Sequence, residues 1–513
     1  MLAQLGAVPQ WDIVIIGGGA TGLGAAVDAA SRGYKTLLVE QVDFSKGTSS
    51  RSTKLVHGGV RYLAQGNIKL VREALRERGL LLKNAPHVCH NLSFIIPSFH
   101  WWQKWYYGLG LTIYEFLSGK LSLGKTRLLT KKTTLQLLPA LSTQNLSGGI
   151  QYQDGQFDDS RLAINLAQTA EELGATVINY FKATAFIKPG KRITGVELVD
   201  TISGKNYTIN CNSVINATGI FTDKIMQLDN PNHKQMVSPS QGVHLVVDAK
   251  FFPGKQAMMI PKTDDGRVLF AVPWHDKVVL GTTDTPVNEI SLEPRALHEE
   301  IDFILQHINR YLTTDIQPTD VKTVFAGLRP LIKAKGKKMT ALLPRDHVTI
   351  VSDSGLVTVT GGKWTTYRTM GKNAVDNATF SAKLKMKQCI TESLLIHGYT
   401  AGANSGDPLF VYGSDAVAIN QLMMDEPALK EKIHYNLPYT KAVVVWAVKQ
   451  EMAMTVEDVL ARRTRALFLD ARASIEAAPV VASIMAAAMD KTPEWKEQQV
   501  MEFEMIANKY LID

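Results

Sequence analysis

The sequence predicts a mixed α/β fold: a Rossmann-like parallel-sheet domain interleaved with a mainly antiparallel sheet and followed by an all-α region. Three observations predict it. Residues 12–40, DIVIIGGGATGLGAAVDAASRGYKTLLVE, run strand, glycine turn, helix, strand and terminal acid. Residues 241–284 alternate apolar and polar side chains with period two, broken by turn clusters at 262–266 and 275–276. Past about residue 385 the chain turns rich in alanine, methionine and charge at helical spacing, as in YTKAVVVWAVKQEMAMTVEDVLARRTR.

Each part of the first unit has a physical reason. DIVII is a short apolar run, the mark of a strand buried on both faces. Gly17 permits the tight turn out of it, Gly19 keeps the backbone open to a pyrophosphate, and Gly22 lets helix and strand pack closely. The helix start offers N–H groups and a positive dipole end to phosphates. Glu40, 18 positions past Gly22, is placed to accept hydrogen bonds from ribose hydroxyls. A carboxylate there favours FAD or NAD over NADP.

At 513 residues, 45% hydrophobic and 20% charged, the chain is that of a folded protein of two or three domains. Cys89, Cys211 and Cys389 are scattered without a CxxC, which argues against a disulfide framework or a metal site and fits a reducing compartment. MLAQLGAVPQ is neither a secretory signal nor an arginine-bearing transit segment. No run of 18 uncharged apolar residues predicts a spanning helix. A net charge of +8 points to anionic company, namely a phosphate substrate, an anionic lipid surface or nucleic acid, and no motif supports nucleic acid.

Residues 45–63, SKGTSSRSTKLVHGGVRYL, form a loop of small hydroxyl residues and glycines able to approach a cofactor closely. Thr48, Ser49, Ser52, Leu55, His57, Gly58 and Gly59 are its cofactor candidates, and Lys54, Arg61 and Tyr62 lie in the same loop. Residues 67–83 read as a helix with a basic face. Residues 98–119 concentrate Trp101, Trp102, Trp105, Tyr106 and Tyr107 around Lys104, suiting either a membrane interface or a buried contact between domains. Helix 162–175, strand 176–180 and hairpins 182–210 follow, then the apolar strand end and Ala217-Thr218-Gly219. Residues 297–312 are an amphipathic helix and 321–331 a strand ending in a Gly-Leu-Arg-Pro turn that carries Arg329. Residues 340–351 carry Arg345, and 355–371 are a strand, then Gly361-Gly362-Lys363, then a helix.

GGGATG, TSSRSTKLVHGGVRYL, QYQDGQFDDSRL, VINATGIFTDKI, GVHLVV, VVLGTTDTP, FAGLRPLI, PRDH and GGKWTTYRTMG occur in an order that resembles the FAD-dependent, respiratory glycerol-3-phosphate dehydrogenases, relatives of the glycerophosphate oxidases. The resemblance covers essentially the whole chain. It implies a glutathione-reductase-type FAD-binding domain from residues 1–85, 160–235 and 345–385. It also implies a substrate-binding domain from 86–159 and 236–344, and a helical C-terminal domain over 386–513. It implies non-covalent FAD, with Ala217-Thr218-Gly219 closing over it and Gly361-Gly362-Lys363 at the flavin ring. The expected reaction oxidises sn-glycerol 3-phosphate to dihydroxyacetone phosphate by hydride transfer to flavin N5, and passes electrons to membrane quinone. The close alternative is an oxidase that passes the electrons to O2 and makes peroxide, although the oxidases carry an inserted segment that this shorter chain lacks. An amine or amino-acid oxidase and a non-enzymatic flavin-binding scaffold are the other readings, and both leave the arginines without a purpose.

Alcohol oxidation needs a base within hydrogen-bond reach of the hydroxyl, about 2.6–3.2 Å. Histidine suits neutral pH. The resemblance matches residues 241–244 to the family's active-site strand, which favours His244 over His57. Phosphate favours the bidentate fork of arginine, so Arg329 is the leading candidate to orient the substrate. Arg61, Arg345 and Lys363 complete the anion site, with Tyr62 and Thr365 as weaker donors. Expected partners are the substrate and product, quinone, an anionic lipid surface and, as one option, a second copy in a homodimer. The expected location is the cytoplasm, peripheral to the inner membrane.

Overall fold

The computed structural model describes residues 2–64, 66–333, 347–402 and 406–512. Arg345, one of the anion-site candidates, lies outside them, as does the side chain of Arg61 on the short helix Val60–Ala64.

The first sheet grows from Trp11–Ile16, where Ile13, Val14 and Ile15 are fully buried. Parallel neighbours flank it, Thr36–Val39 on one side and Asn206–Asn216 on the other. Thr176–Ile178 and Leu356–Gly361 extend the two sides in parallel, and His347–Val351 closes one edge antiparallel. Phe181–Ile187, Gly195–Asp200 and Asn206–Asn216 form an antiparallel meander, as the alternation of residues 182–210 predicts. Helices Ala20–Ser31, Asp159–Glu172 and Tyr367–Ser381 bury Leu23, Val27, Leu166 and Val375 in the core shared with this sheet. Gly22 shows the close approach directly: a Cβ there would lie 1.8 Å from the Gly17 carbonyl oxygen, so any side chain would push the helix off the strand.

The second sheet has ten strands and is mainly antiparallel, with Val237–Asp248 paired to Lys277–Gly281, Thr285–Pro286 and Val321–Ile332. Cys89–Ser98 and Gly148–Phe157 belong to it. So does Leu55–Val56, from within the 1–85 segment, which pairs with Gly148–Phe157. The flavin-side loop is thereby stitched to the second sheet. One expectation needs correcting: Arg329 is not in a turn. Its strand runs on to Ile332, and Pro330 faces Pro239, a position where neither residue need donate a ladder bond.

The C-terminal part is helical, including Lys441–Gln450, Ala471–Met489 and Pro493–Ala507. It packs against the second sheet, where Val246, Trp274, Val279 and Phe325 share one core with Val459, Leu467, Phe468 and Val481. Ala471–Met489 is long and apolar enough to cross a membrane by length and composition, at mean hydropathy 1.3. It nevertheless carries Arg472, Glu476 and Pro479 and turns Ala473, Ala477, Val481 and Met485 into this core, so it is a core helix.

The aromatic segment is the helix Trp101–Ser118. Its inner face buries Leu111 and Tyr114, while Trp101, Trp105 and Phe116 are 73%, 66% and 84% exposed. The rings therefore do not form a contact between domains. The preceding helix, Ile68–Asn84, exposes Lys69, Arg72, Arg76 and Lys83. Arg78 leaves that basic face to pair, buried, with Asp154 at 2.8 Å.

Candidate active site

A cavity of about 1040 Å³ lies between the two sheets, at the upper end of the range for small-molecule sites. Gly17, Gly19 and Glu40 line one end, and His244, Thr282, Asp284 and Arg329 line another part of its wall. The Glu40 carboxylate accepts from Gly18 N at 2.7 Å and Val42 N at 3.1 Å, which fixes it at the cavity wall. Burial pushes its pKa up, against these two backbone donors. Helix Ala20–Ser31 begins at this end, and Ala20 N donates to Ser49 Oγ at 3.0 Å. Gly17, at φ +111°, leaves its Cα against the Ala217 carbonyl, where a Cβ would sit 2.6 Å from the oxygen.

The loop candidates divide between lining and support. Thr48, Ser49, Ser52, Leu55, His57 and Gly59 line the cavity. The hydroxyls of Thr48 and Ser52 are occupied in holding the loop, to Leu328 O at 2.6 Å and Asp159 Oδ2 at 2.7 Å. Trp364 Nε1 donates to Ser49 O at 2.7 Å, and His57 N to Thr365 Oγ1 at 3.3 Å, which ties this loop to the 361–366 turn. Gly22 and Gly58 are not at the cavity surface; Gly58 N donates to Tyr114 Oη at 2.7 Å, and a Cβ there would strike Leu75. Lys363 Nζ sits 4.0 Å from the centre of the Tyr62 ring, a cation–π pair on the cavity wall. Ala217, Thr218, Gly219, Gly361, Gly362 and Thr365 also line it.

His244 and Arg329 come together on neighbouring strands. His244 pairs with Gly281 and stacks on Phe325, with ring centroids 4.8 Å apart and planes 17° apart. The imidazole lies over Gly281, where a Cβ would be 2.3 Å from His244 Cδ2. Arg329 likewise lies over Gly242, where a Cβ would be 2.1 Å from its Nη2. Its guanidinium donates to Gln241 O at 3.2 Å and Thr282 Oγ1 at 2.9 Å, with Asp284 Oδ1 at 3.8 Å. Two glycines thus make the seats for the two side chains. His244 Nε2 is 2.9 Å from Thr53 Oγ1, and its Nδ1 is buried with no hydrogen bond among the described residues. Burial first, then the Arg329 and Lys54 cations, hold its pKa well below the ordinary histidine range, so the ring is neutral.

Sequence reasoning missed several participants. Thr53, Thr282 and Asp284 carry no pattern of their own and matter only through register. The run VEDVLARR reads as ordinary helix, yet Arg462 and Arg463 are buried and bond Asp43 of the first domain. Arg161 pairs with Glu451 across the same boundary. The only sequence signal was the density of charge in an otherwise apolar helical stretch.

The donor set fits a flavin dinucleotide: an acid at the ribose position, a helix start and glycine turn at the pyrophosphate position, and further glycine turns after strands Asn206–Asn216 and Leu356–Gly361. Fold and cavity together define a flavin-dependent oxidoreductase. Residues 12–368 match the family described as FAD dependent oxidoreductase, and residues 389–500 the C-terminal domain of alpha-glycerophosphate oxidase. The chain is 36% identical to the mitochondrial glycerol-3-phosphate dehydrogenase of Mus musculus, over 99% of this chain and 74% of that protein. It is 38% identical to the mitochondrial glycerol-3-phosphate dehydrogenase of Arabidopsis thaliana, over 96% and 85%. Among solved structures, the glycerol-3-phosphate dehydrogenase from Bacillus halodurans complexed with FAD superposes with a TM-score of 0.81 at 30% identity, covering 99% of this chain and 97% of that one. The L-alpha-glycerophosphate oxidase from Mycoplasma pneumoniae, at 16% identity and a TM-score of 0.58 over 75% of this chain and 98% of that one, shares the fold. The chain belongs to the FAD-dependent glycerol-3-phosphate dehydrogenase family, and FAD is its cofactor.

Proposed function

We propose that the protein oxidises sn-glycerol 3-phosphate to dihydroxyacetone phosphate and passes the electrons to a lipid-soluble quinone. The observation that carries this reading is the convergence of a neutral, buried histidine and a braced arginine fork on one cavity wall. Gly17, Gly19, Glu40, the 45–59 loop, residues 217–219 and the 361–365 turn would hold FAD, which when bound supplies the acceptor for a hydride. His244 takes the proton from the C2 hydroxyl as C2 is oxidised. Arg329 faces the anionic substrate and steadies the developing carbonyl oxygen, and Lys363 adds positive charge from the opposite wall. A cation there is worth most because the site is shielded from water. Burial first, and then two flanking cations, make His244 a poor proton acceptor. The arriving phosphate dianion offsets the cations, so its basicity rises on substrate binding.

Quinone as acceptor requires contact with a membrane. The exposed face of Trp101–Ser118, beside the lysines and arginines of Ile68–Asn84, supports a monotopic attachment to anionic lipid at a membrane surface. Anaerobic addition of glycerol 3-phosphate to the FAD-loaded protein tests the reaction: the flavin's visible absorption should bleach. Absence of bleaching would leave a flavin-binding scaffold. Fast recolouring in air with peroxide release, undiminished by quinone, would make the protein an oxidase.

A further inference from the structure

Behind the proposed base lies a buried cation with no assigned part in the reaction. The Lys54 side chain is fully buried. Its Nζ donates to Ser50 O at 2.9 Å and Asp159 Oδ2 at 2.7 Å. It stands 5.2 Å from the ring centres of Trp274 and Phe325 and 5.4 Å from that of Phe468. Phe325 is the ring on which His244 stacks, and Thr53, one residue away in the chain, contacts His244 Nε2. Lys54 therefore touches the surroundings of the imidazole from two directions.

Lys54 shares its carboxylate with a second cation. Asp159 already accepts from Ser52 Oγ and Ser52 N, from Ser160 N at 2.9 Å, and from Arg465 Nη2 at 3.1 Å. Arg465 also donates to Ser50 O at 2.8 Å. Asp158 also stands 3.9 Å from Arg465 Nε, so two carboxylates face two cations, yet desolvating an ammonium here is still costly. Burial first, then Arg465, push the Lys54 pKa down to about 7, against Asp159 and Asp158. The charged groups near His244 are Arg329 with Asp284 on the cavity side, and Lys54, Asp158, Asp159 and Arg465 around Phe325. Arg51, paired with Glu293, lies beyond Gly327.

We propose that Lys54 is a positioning residue for proton removal, setting the charge of His244 from behind Phe325 and its ring orientation through Thr53. The proposal rests on the reading of His244 as the base. Without the ammonium, His244 would protonate more readily and be lost as a base at mildly acidic pH. Arg465 makes the arrangement depend on the C-terminal domain, because it delivers the competing cation.

The test is the pH dependence of anaerobic flavin reduction by glycerol 3-phosphate in the FAD-loaded wild type, Lys54→Gln, Lys54→Arg and His244→Ala. Lys54→Gln keeps a donor to Ser50 and Asp159 but removes the charge. The acid limb of kcat/KM should move up by about one pH unit in Lys54→Gln, stay in place in Lys54→Arg, and vanish in His244→Ala. KM at pH 8 should change little, since the substrate's anion faces Arg329. An acid limb surviving in His244→Ala would overturn the base assignment itself. A limb lost there but unmoved in Lys54→Gln would overturn the role of Lys54 alone. Should Lys54→Gln fail to retain FAD while Lys54→Arg retains it, Lys54→Met is the second neutral variant. Failure of both would make Lys54 a purely structural cation and overturn the proposal.

Discussion

Gly281→Ala is the sharpest perturbation of the site, because it touches neither substrate nor cofactor candidates. The added Cβ would stand 2.3 Å from His244 Cδ2. Ordinary carbon contacts begin near 3.5 Å, so the imidazole must retreat by roughly 1 Å. It has little room: Phe325 stacks on it at 4.8 Å and Thr53 holds Nε2 at 2.9 Å. A displacement of about 1 Å at a reacting group costs on the order of 10²-fold in rate. Complete loss of a general base typically costs about 10²–10⁴. Stopped-flow reduction of the flavin should therefore slow about 100-fold in Gly281→Ala, with FAD content and substrate affinity near wild type. The double variant Gly281→Ala/His244→Ala should be no slower than His244→Ala alone, since both act through one ring. Normal reduction in Gly281→Ala, or full additivity in the double variant, would refute the reasoning.

Arg329→Ala should lower kcat/KM about 10- to 100-fold, through loss of a charge-assisted contact of roughly 1.5–3 kcal/mol. Arg329→Lys should not restore it, because one ammonium cannot bridge Gln241 O and Thr282 Oγ1 while facing the substrate; steady-state kinetics decide. Replacing Trp101, Trp102 and Trp105 with Ser should reduce liposome co-sedimentation and quinone reduction and leave dye-linked activity intact, as the rings are exposed. Acid precipitation should release all flavin into solution, as non-covalent FAD requires; colour in the pellet would contradict it. His397, paired with Glu172 and Asp415, has its pKa raised to about 9, chiefly by those carboxylates against burial. A raised folded-state value contributes stability that is complete below the unfolded pKa near 6.5 and is lost as pH rises toward 9. The melting temperature should fall over that window in wild type and less in His397→Gln.

The parts of the site legible in sequence were those that depend on local pattern. The 12–40 unit could be read because a glycine turn between an apolar run and a helix has few other uses, and Gly17 and Gly22 meet backbone as that pattern requires. The antiparallel sheet showed as period-two alternation. His244 was legible only through resemblance, since a single polar residue in a strand carries no periodic signal, whereas Arg329 could be proposed from the fit of its fork to phosphate. What could not be read was everything set by register between distant strands. Gly242 and Gly281 look like ordinary strand glycines until His244↔Gly281 and Gly242↔Gly327 are paired. The turn expected at Arg329 failed for a related reason: Gly and Pro signal turns locally, but pairing with Val237–Asp248 overrides them. The aromatic run at 101–107 left two readings open because composition does not say which way a helix faces.

The ion pair joining Arg463 to Asp43 spans 420 residues of sequence. On the ribosome, at about 5–20 residues per second, Asp43 is therefore made some 20–80 s before its partner exists. For most of that interval the nascent first sheet also lacks Leu356–Gly361, and the carboxylates of Asp43 and Asp159 await Arg462, Arg463 and Arg465. A chain that stops before residue 458 would leave those acids facing an apolar interior with too few counter-charges. Premature termination ahead of residue 458 should thus be as damaging to cofactor retention as a lesion in the glycine turn itself.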